Sequence, residues 1–103
     1  MNVRDNQARR RFEVLLDDGD FAFAEYSIKD DVIAFPHTVV PRKHEGQGIG
    51  GALAKAALNS AREQSLKVRP QCSFFARYMV RHPETQNLLA PGEDAALARY
   101  KPD

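Results

Sequence analysis

Four of the chain's six glycines crowd into one short stretch, at Gly46, Gly48, Gly50 and Gly51. Glycine is unfavourable inside a helix and useful where backbone bends sharply or approaches a ligand closely, so the cluster marks a loop feeding a helix start. The first amides of a helix lack intrahelical acceptors and lie at the positive end of its dipole, which lets such a loop hold a phosphate without a charged side chain. A second chemical handle is Cys72, the one cysteine in the chain. It excludes an intrachain disulfide and fits a reducing compartment; it offers a nucleophilic thiol, or else a small buried hydrophobe. The histidines offer less. His44-Glu45 opens like the zinc-protease pattern H-E-x-x-H, but Gly48 stands where the second histidine belongs, and three scattered histidines with one cysteine lack metal-ligand spacing. No metal is expected.

The elements that must position these groups follow from periodicity. Phe12, Val14 and Leu16 alternate with Arg11, Glu13 and Leu15, which predicts a strand with one buried face. Asp17 to Asp20 turns the chain into a second strand, Phe21 to Lys29, and Asp30-Asp31 leads into a third, Val32 to Phe35. Pro36 cannot donate to a ladder, so a break is expected there, before a short strand from His37 to Val40. From Ile49 the period changes: Ile49, Leu53, Ala57 and Ala61 fall four apart, as on one face of a helix running to about Gln64. Leu66 to Phe74 returns to strand character, and a strand reached through a helical crossover pairs in parallel. Ala76 to His82 predicts a short helix stopped by Pro83. One domain is expected over residues 11–90, between a frayed polar segment at 1–10 and a polar tail at 91–103.

Three phosphate-binding patterns compete for the glycine loop. The P-loop G-x-x-x-x-G-K-S/T has its spacing at Gly46 and Gly51, but Ala52 and Leu53 replace the lysine and the hydroxyl residue. The dinucleotide fingerprint G-x-G-x-x-G matches at Gly46, Gly48 and Gly51, yet no Asp or Glu lies between Glu63 and Glu84 to hold a ribose. The third pattern covers more of the chain. Strand, EGQGIGGAL loop, helix and parallel strand together resemble the acetyl-CoA-binding core of the GNAT acetyltransferase superfamily, whose loop reads Q/R-x-x-G-x-G/A. Gly48 and Gly50 are in register, and Glu45 stands where the superfamily has Arg or Gln. Upstream VIAFPHTVVP and downstream LKVRPQCSFFARYMVRHPETQNLL are similar to the small GNAT-like acetyltransferase-domain proteins, a reduced core without the paired helices that larger members insert between their first two strands. The similarity runs from about Arg11 to Leu89.

The resemblance implies an α/β (α+β) fold, antiparallel strands leading into a strand, glycine loop, helix and parallel strand, and an N-acetyltransferase that uses acetyl-CoA as cosubstrate. It implies that Val39 and Val40 offer backbone hydrogen bonds to the pantetheine arm while the backbone of Gln47, Gly48, Ile49, Gly50 and Gly51 holds the pyrophosphate. A carboxylate beside pyrophosphate is repulsive, so Glu45 is expected to point away, with Arg42 or Lys43 supplying positive charge. By the same resemblance Cys72 sits near the thioester and accepts the acetyl group; the alternative is direct attack on the thioester by a deprotonated amine, for which Tyr78 matches the tyrosine that protonates the departing thiolate. His37 is a weaker candidate for the base. Phe74 and Phe75 divide between core and cleft, and Arg77 and Arg81 share a helical face that meets phosphates or solvent. The implied acceptor is a small amine or a protein lysine. The alternative is a CoA or acyl-CoA-binding module without efficient turnover, which the missing acceptor-site helices make reasonable.

At 103 residues, 43% hydrophobic and 28% charged, the chain has enough apolar content for one core. No apolar run approaches the roughly 18 residues of a membrane span, and MNVRDNQARRR lacks the apolar centre of a signal peptide, so a cytoplasmic protein is expected. The net charge of +1 conceals a basic middle, with eight Lys/Arg against two Asp/Glu over residues 42–82. Nucleic acid ranks last as its partner, because the aromatic residues form no repeated stacking motif. The sequence leaves the oligomeric state open.

Overall fold

The computed structural model describes residues 1–102. Five strands form one sheet in sequence order: β1 (Arg4–Asn6), β2 (Arg11–Leu15), β3 (Phe21–Lys29), β4 (Val32–Val39) and β5 (Lys67–Arg69). The first four are antiparallel, and β5 joins β4 in parallel after the helix α1 (Ile49–Glu63). Two further helices follow, α2 (Ser73–Arg81) and α3 (Asp94–Ala98). The α/β arrangement implied by the loop, helix and parallel strand is the one observed.

Phe12, Val14 and Leu16 are buried as their alternation requires, and α1 contacts β2, β3, β4 and β5. Ala22 and Ala24 on β3 and Ala54, Ala57 and Ala61 on α1 are wholly buried. Such short side chains let helix and sheet approach closely while the flanking Leu53 and Leu58 fill the remaining volume. Phe35 of β4 stacks on Phe75 of α2 at 4.2 Å between centroids, which fixes α2 against the same core. Residues beyond α2 complete the β5 edge, where the Ala90 amide donates to the Val68 carbonyl at 2.9 Å.

Where the fold departs from the periodicity, a local cause is visible. Residues 4–6, expected to fray, form β1 because the carboxylate of Glu13 requires them. Glu13 is 1% exposed, and its oxygens accept from Arg4 Nε at 2.8 Å, Asn6 Nδ2 at 3.1 Å and Arg11 Nε at 2.7 Å. Burial alone raises that carboxyl group's pKa; the donors from Arg11, Arg4 and Asn6 outweigh it and bring the value down to about 2. The two strands expected on either side of Pro36 are one strand, β4. Glu25 pairs with His37 and Ser27 with Ala34, so Phe35 and Pro36 together oppose Tyr26 in a bulge, where the missing proline amide breaks no ladder bond. The strand expected from Leu66 to Phe74 ends at Arg69. Pro70 follows, and Cys72, in extended conformation, becomes the N-cap of α2, its amide donating to the Phe35 carbonyl at 3.0 Å and its carbonyl accepting from Ala76 at 3.2 Å.

Candidate active site

The last parallel pair is Ala34 with Arg69, whereas β4 continues to Val39, so β4 outruns its neighbour and a gap opens beside it. The start of α1 and one flank of α2 close this gap into a cleft of about 610 Å³. Thr38 and Val40 form its β4 side, and His44, Glu45, Gly46 and Gly48 its loop side. Ile49, Gly50 and Gly51 contribute the first turn of α1; Phe74, Tyr78 and Arg81 contribute α2. His82, directly after α2, completes the wall.

Local backbone demands explain the loop. Gly46 and Gly48 have φ of 81° and 80°, in the left-handed region that L side chains rarely adopt. Gly48 caps α1, and the first helical bond runs from the Ala52 amide to its carbonyl at 3.1 Å. The amides of Gly48 to Gly51 therefore precede any intrahelical acceptor, and α1 carries no acidic residue in its first turn to neutralise them. At Gly50 a Cβ would lie 2.6 Å from Phe74 Cζ, so the phenylalanine ring rests directly on helix backbone.

The structure brings Val40, Gly48, Ile49, Gly50, Gly51 and Tyr78 to one cleft wall, and leaves Val39, Arg42, Lys43, Gln47 and Cys72 outside its lining. Val39 pairs with Phe23 in the sheet. Arg42 and Gln47 lie beside the wall without forming it, and Lys43 is held at 2.7 Å from Asp18 and 3.3 Å from Asp20, on the turn between β2 and β3. Helix α2 instead supplies the cleft's guanidinium through Arg81, whereas Arg77 turns away and lies over Tyr100 at 5.1 Å. Glu45, expected to point away, contributes to the wall. His37 is exposed opposite Glu25 and has no place in the cleft. Phe75 is wholly buried while Phe74 faces the cleft.

Cys72 stands one layer behind the wall. Its sulfur is 3.3 Å from Thr38 Oγ1, and it is Thr38 that faces the cleft. Tyr78 is mostly buried, which pushes its phenol pKa up and keeps the proton on oxygen at neutral pH. Its ring stacks on His82 at 4.0 Å. Thr38 and His82 escape a reading of spacing alone, since each enters the site through a tertiary contact. For His82 the one sequence signal is the His-Pro pair that closes α2. Among the described residues no group of three or more His, Cys, Asp or Glu could hold a metal ion, and no helix is long and apolar enough to cross a membrane.

A sheet that splays at a glycine-led helix narrows the choice of family, and the family model of the GCN5-related N-acetyl-transferases matches residues 11–88. The chain belongs to this family. Among its relatives, Protein NATD1 of Mus musculus is 33% identical over 91 residues, spanning 85% of the present chain and 82% of its own. Protein NATD1 of Homo sapiens has the same identity over 91 residues and 80% of its length. The NMR solution structure of a GCN5-like protein from Staphylococcus aureus superposes on the acetyltransferase fold with a TM-score of 0.69 and 25% identity, covering 86% of this chain and 87% of that one.

Proposed function

We propose that the chain moves an acetyl group from acetyl-CoA to an amine. The observation that carries this reading is the union, in one cleft, of a glycine-led helix start with free amides, a strand edge released by its neighbour, and a buried tyrosine. Pyrophosphate fits the amides of Gly48 to Gly51, with Arg81 as the side-chain charge. The backbone at Val40, free of the sheet, suits the amides of a pantetheine arm. Cys72 then gives up its thiol proton to solvent and attacks the acetyl carbon: a carbon–sulfur bond forms to Sγ, the bond to the CoA sulfur breaks, and Tyr78 donates a proton to the departing thiolate and regains one from solvent. Thr38 orients the Cys72 sulfur from the cleft side.

Intact-mass spectrometry after incubation with acetyl-CoA tests the covalent step. The wild-type chain should gain one acetyl group and Cys72→Ala none; an adduct that persists in Cys72→Ala sinks the assignment. Calorimetry tests the site, with saturable acetyl-CoA binding expected in wild type and lost in Gly48→Glu. Binding with neither adduct nor turnover would favour the non-catalytic CoA-binding module.

A further inference from the structure

Beyond α2 from the cleft lies a second chamber of about 380 Å³, bounded by Arg69 and Cys72 where the chain leaves β5, by Ala76 on α2, and by Glu93, Arg99 and Tyr100 around α3. Cys72 lines this chamber and not the cleft, while Thr38, in contact with its sulfur, lines the cleft and not this chamber. The thiol thus stands between two spaces reached from opposite sides of α2.

We infer that this chamber receives the acceptor, and that the acceptor is an amine bearing a carboxylate. The inference rests on the acetyl transfer proposed above. Its wall carries net positive charge: Arg69 is matched by Glu93 at 3.4 Å, and Arg99, which packs against Tyr100 at 6.0 Å, forms no ion pair among the described residues. A guanidinium left without a carboxylate on this wall disfavours a simple cationic amine and attracts a carboxylate, which it grips through two parallel hydrogen bonds. An acceptor held that way presents its amine toward Cys72. The nitrogen attacks the acetyl carbon on Sγ, the carbon–nitrogen bond forms as the carbon–sulfur bond breaks, and the proton shed by nitrogen restores the thiol.

Alkylation of the full chain by iodoacetate and by iodoacetamide, followed by intact mass, reads the chamber directly. Relative to the neutral free thiol N-acetylcysteine amide, Cys72 should prefer iodoacetate over iodoacetamide by about fivefold, as a cationic cleft raises the local concentration of an anion. Arg99→Gln should abolish most of that preference and Arg99→Lys should keep most of it, and saturating CoA should leave it in place. No preference, no reaction with either reagent, or protection by CoA overturns the inference. In an acetyl-transfer assay lysine should outpace cadaverine, which lacks only the carboxylate; equal rates overturn the acceptor class. Failure of acetyl transfer itself would appear as a missing acetyl adduct with the iodoacetate preference intact, whereas failure of this inference leaves the adduct and removes the preference.

Discussion

Gly50 and Gly51 are adjacent in the same helical turn and answer to different constraints. A Cβ at Gly51 meets nothing within 4 Å, whereas at Gly50 it would lie 2.6 Å from Phe74 Cζ and 2.9 Å from Cε2. Helix propensity favours alanine over glycine by about 1 kcal/mol, so Gly51→Ala should stabilise the fold by up to that amount in chemical denaturation. At Gly50 the same gain meets overpacking worth about 1–3 kcal/mol in a rigid setting. Phe74 is only partly buried and borders open cleft, so its ring can yield by turning into the space assigned to acetyl-CoA. Gly50→Ala should therefore change stability by less than about 2 kcal/mol while lowering acetyl-CoA affinity about tenfold or more. Adding Phe74→Leu should recover part of the affinity. Unchanged binding in the single variant, measured by calorimetry, would show that the ring does not govern the cleft.

The glycine loop is tied to the turn between β2 and β3. Asp18 accepts from Lys43 Nζ at 2.7 Å and from His44 Nε2 at 2.9 Å, and His44 Nδ1 lies 3.4 Å from Gln47 Oε1, the oxygen suited to a second ring proton. Hydrogen bonding to Asp18 raises the His44 pKa against the opposing effects of desolvation and of Lys43, and the donors Lys43 and His44 hold Asp18 well below the usual carboxylate range. A raised imidazole stabilises the folded loop fully below the unfolded value near 6.5 and loses that effect as pH rises through the folded one. A depressed carboxylate acts above its unfolded value near 3.9 and loses effect as pH falls through its folded one, so the tie is strongest between about pH 4 and 6.5. Proton NMR should find His44 titrating above the ordinary imidazole value, and Asp18→Asn should bring it back toward that value; a wild-type His44 titrating at or below it removes the tie. Such contacts were not legible from spacing, because they join residues distant in sequence. The helix α1 was legible, since its apolar period and its glycines express demands of the local backbone. By contrast β1 exists to satisfy Glu13, and the end of β5 depends on Pro70 and on the Cys72 amide reaching Phe35, neither of which periodicity reveals.

At the scale of the molecule, the cleft is bounded by parts that the fold joins only sparingly. Parallel pairing between β4 and β5 covers Val32–Ala34 and Lys67–Arg69, and beyond it the β4 side meets α2 through the Cys72 amide bond, the Phe35–Phe75 stack and the Thr38–Cys72 contact. A ligand spanning the α1 start, the β4 edge and α2 would bridge these parts, and an unfolded chain offers no such site. Binding only the folded state at about 100 times its dissociation constant adds about 2.7 kcal/mol, and in a domain of this size each kcal/mol raises Tm by about 4–8 °C. Saturating acetyl-CoA should thus raise the Tm of the wild-type chain by roughly 10–20 °C in a circular-dichroism melt. Gly48→Glu separates this linkage from nonspecific stabilisation. Its side chain is strained at φ 80°, which should lower the ligand-free Tm by several degrees, and its carboxylate at the α1 start should cancel the ligand-dependent rise. A rise of equal size in the variant would move the anion site away from the glycine loop, and no rise in the wild type would remove acetyl-CoA as the ligand of the cleft.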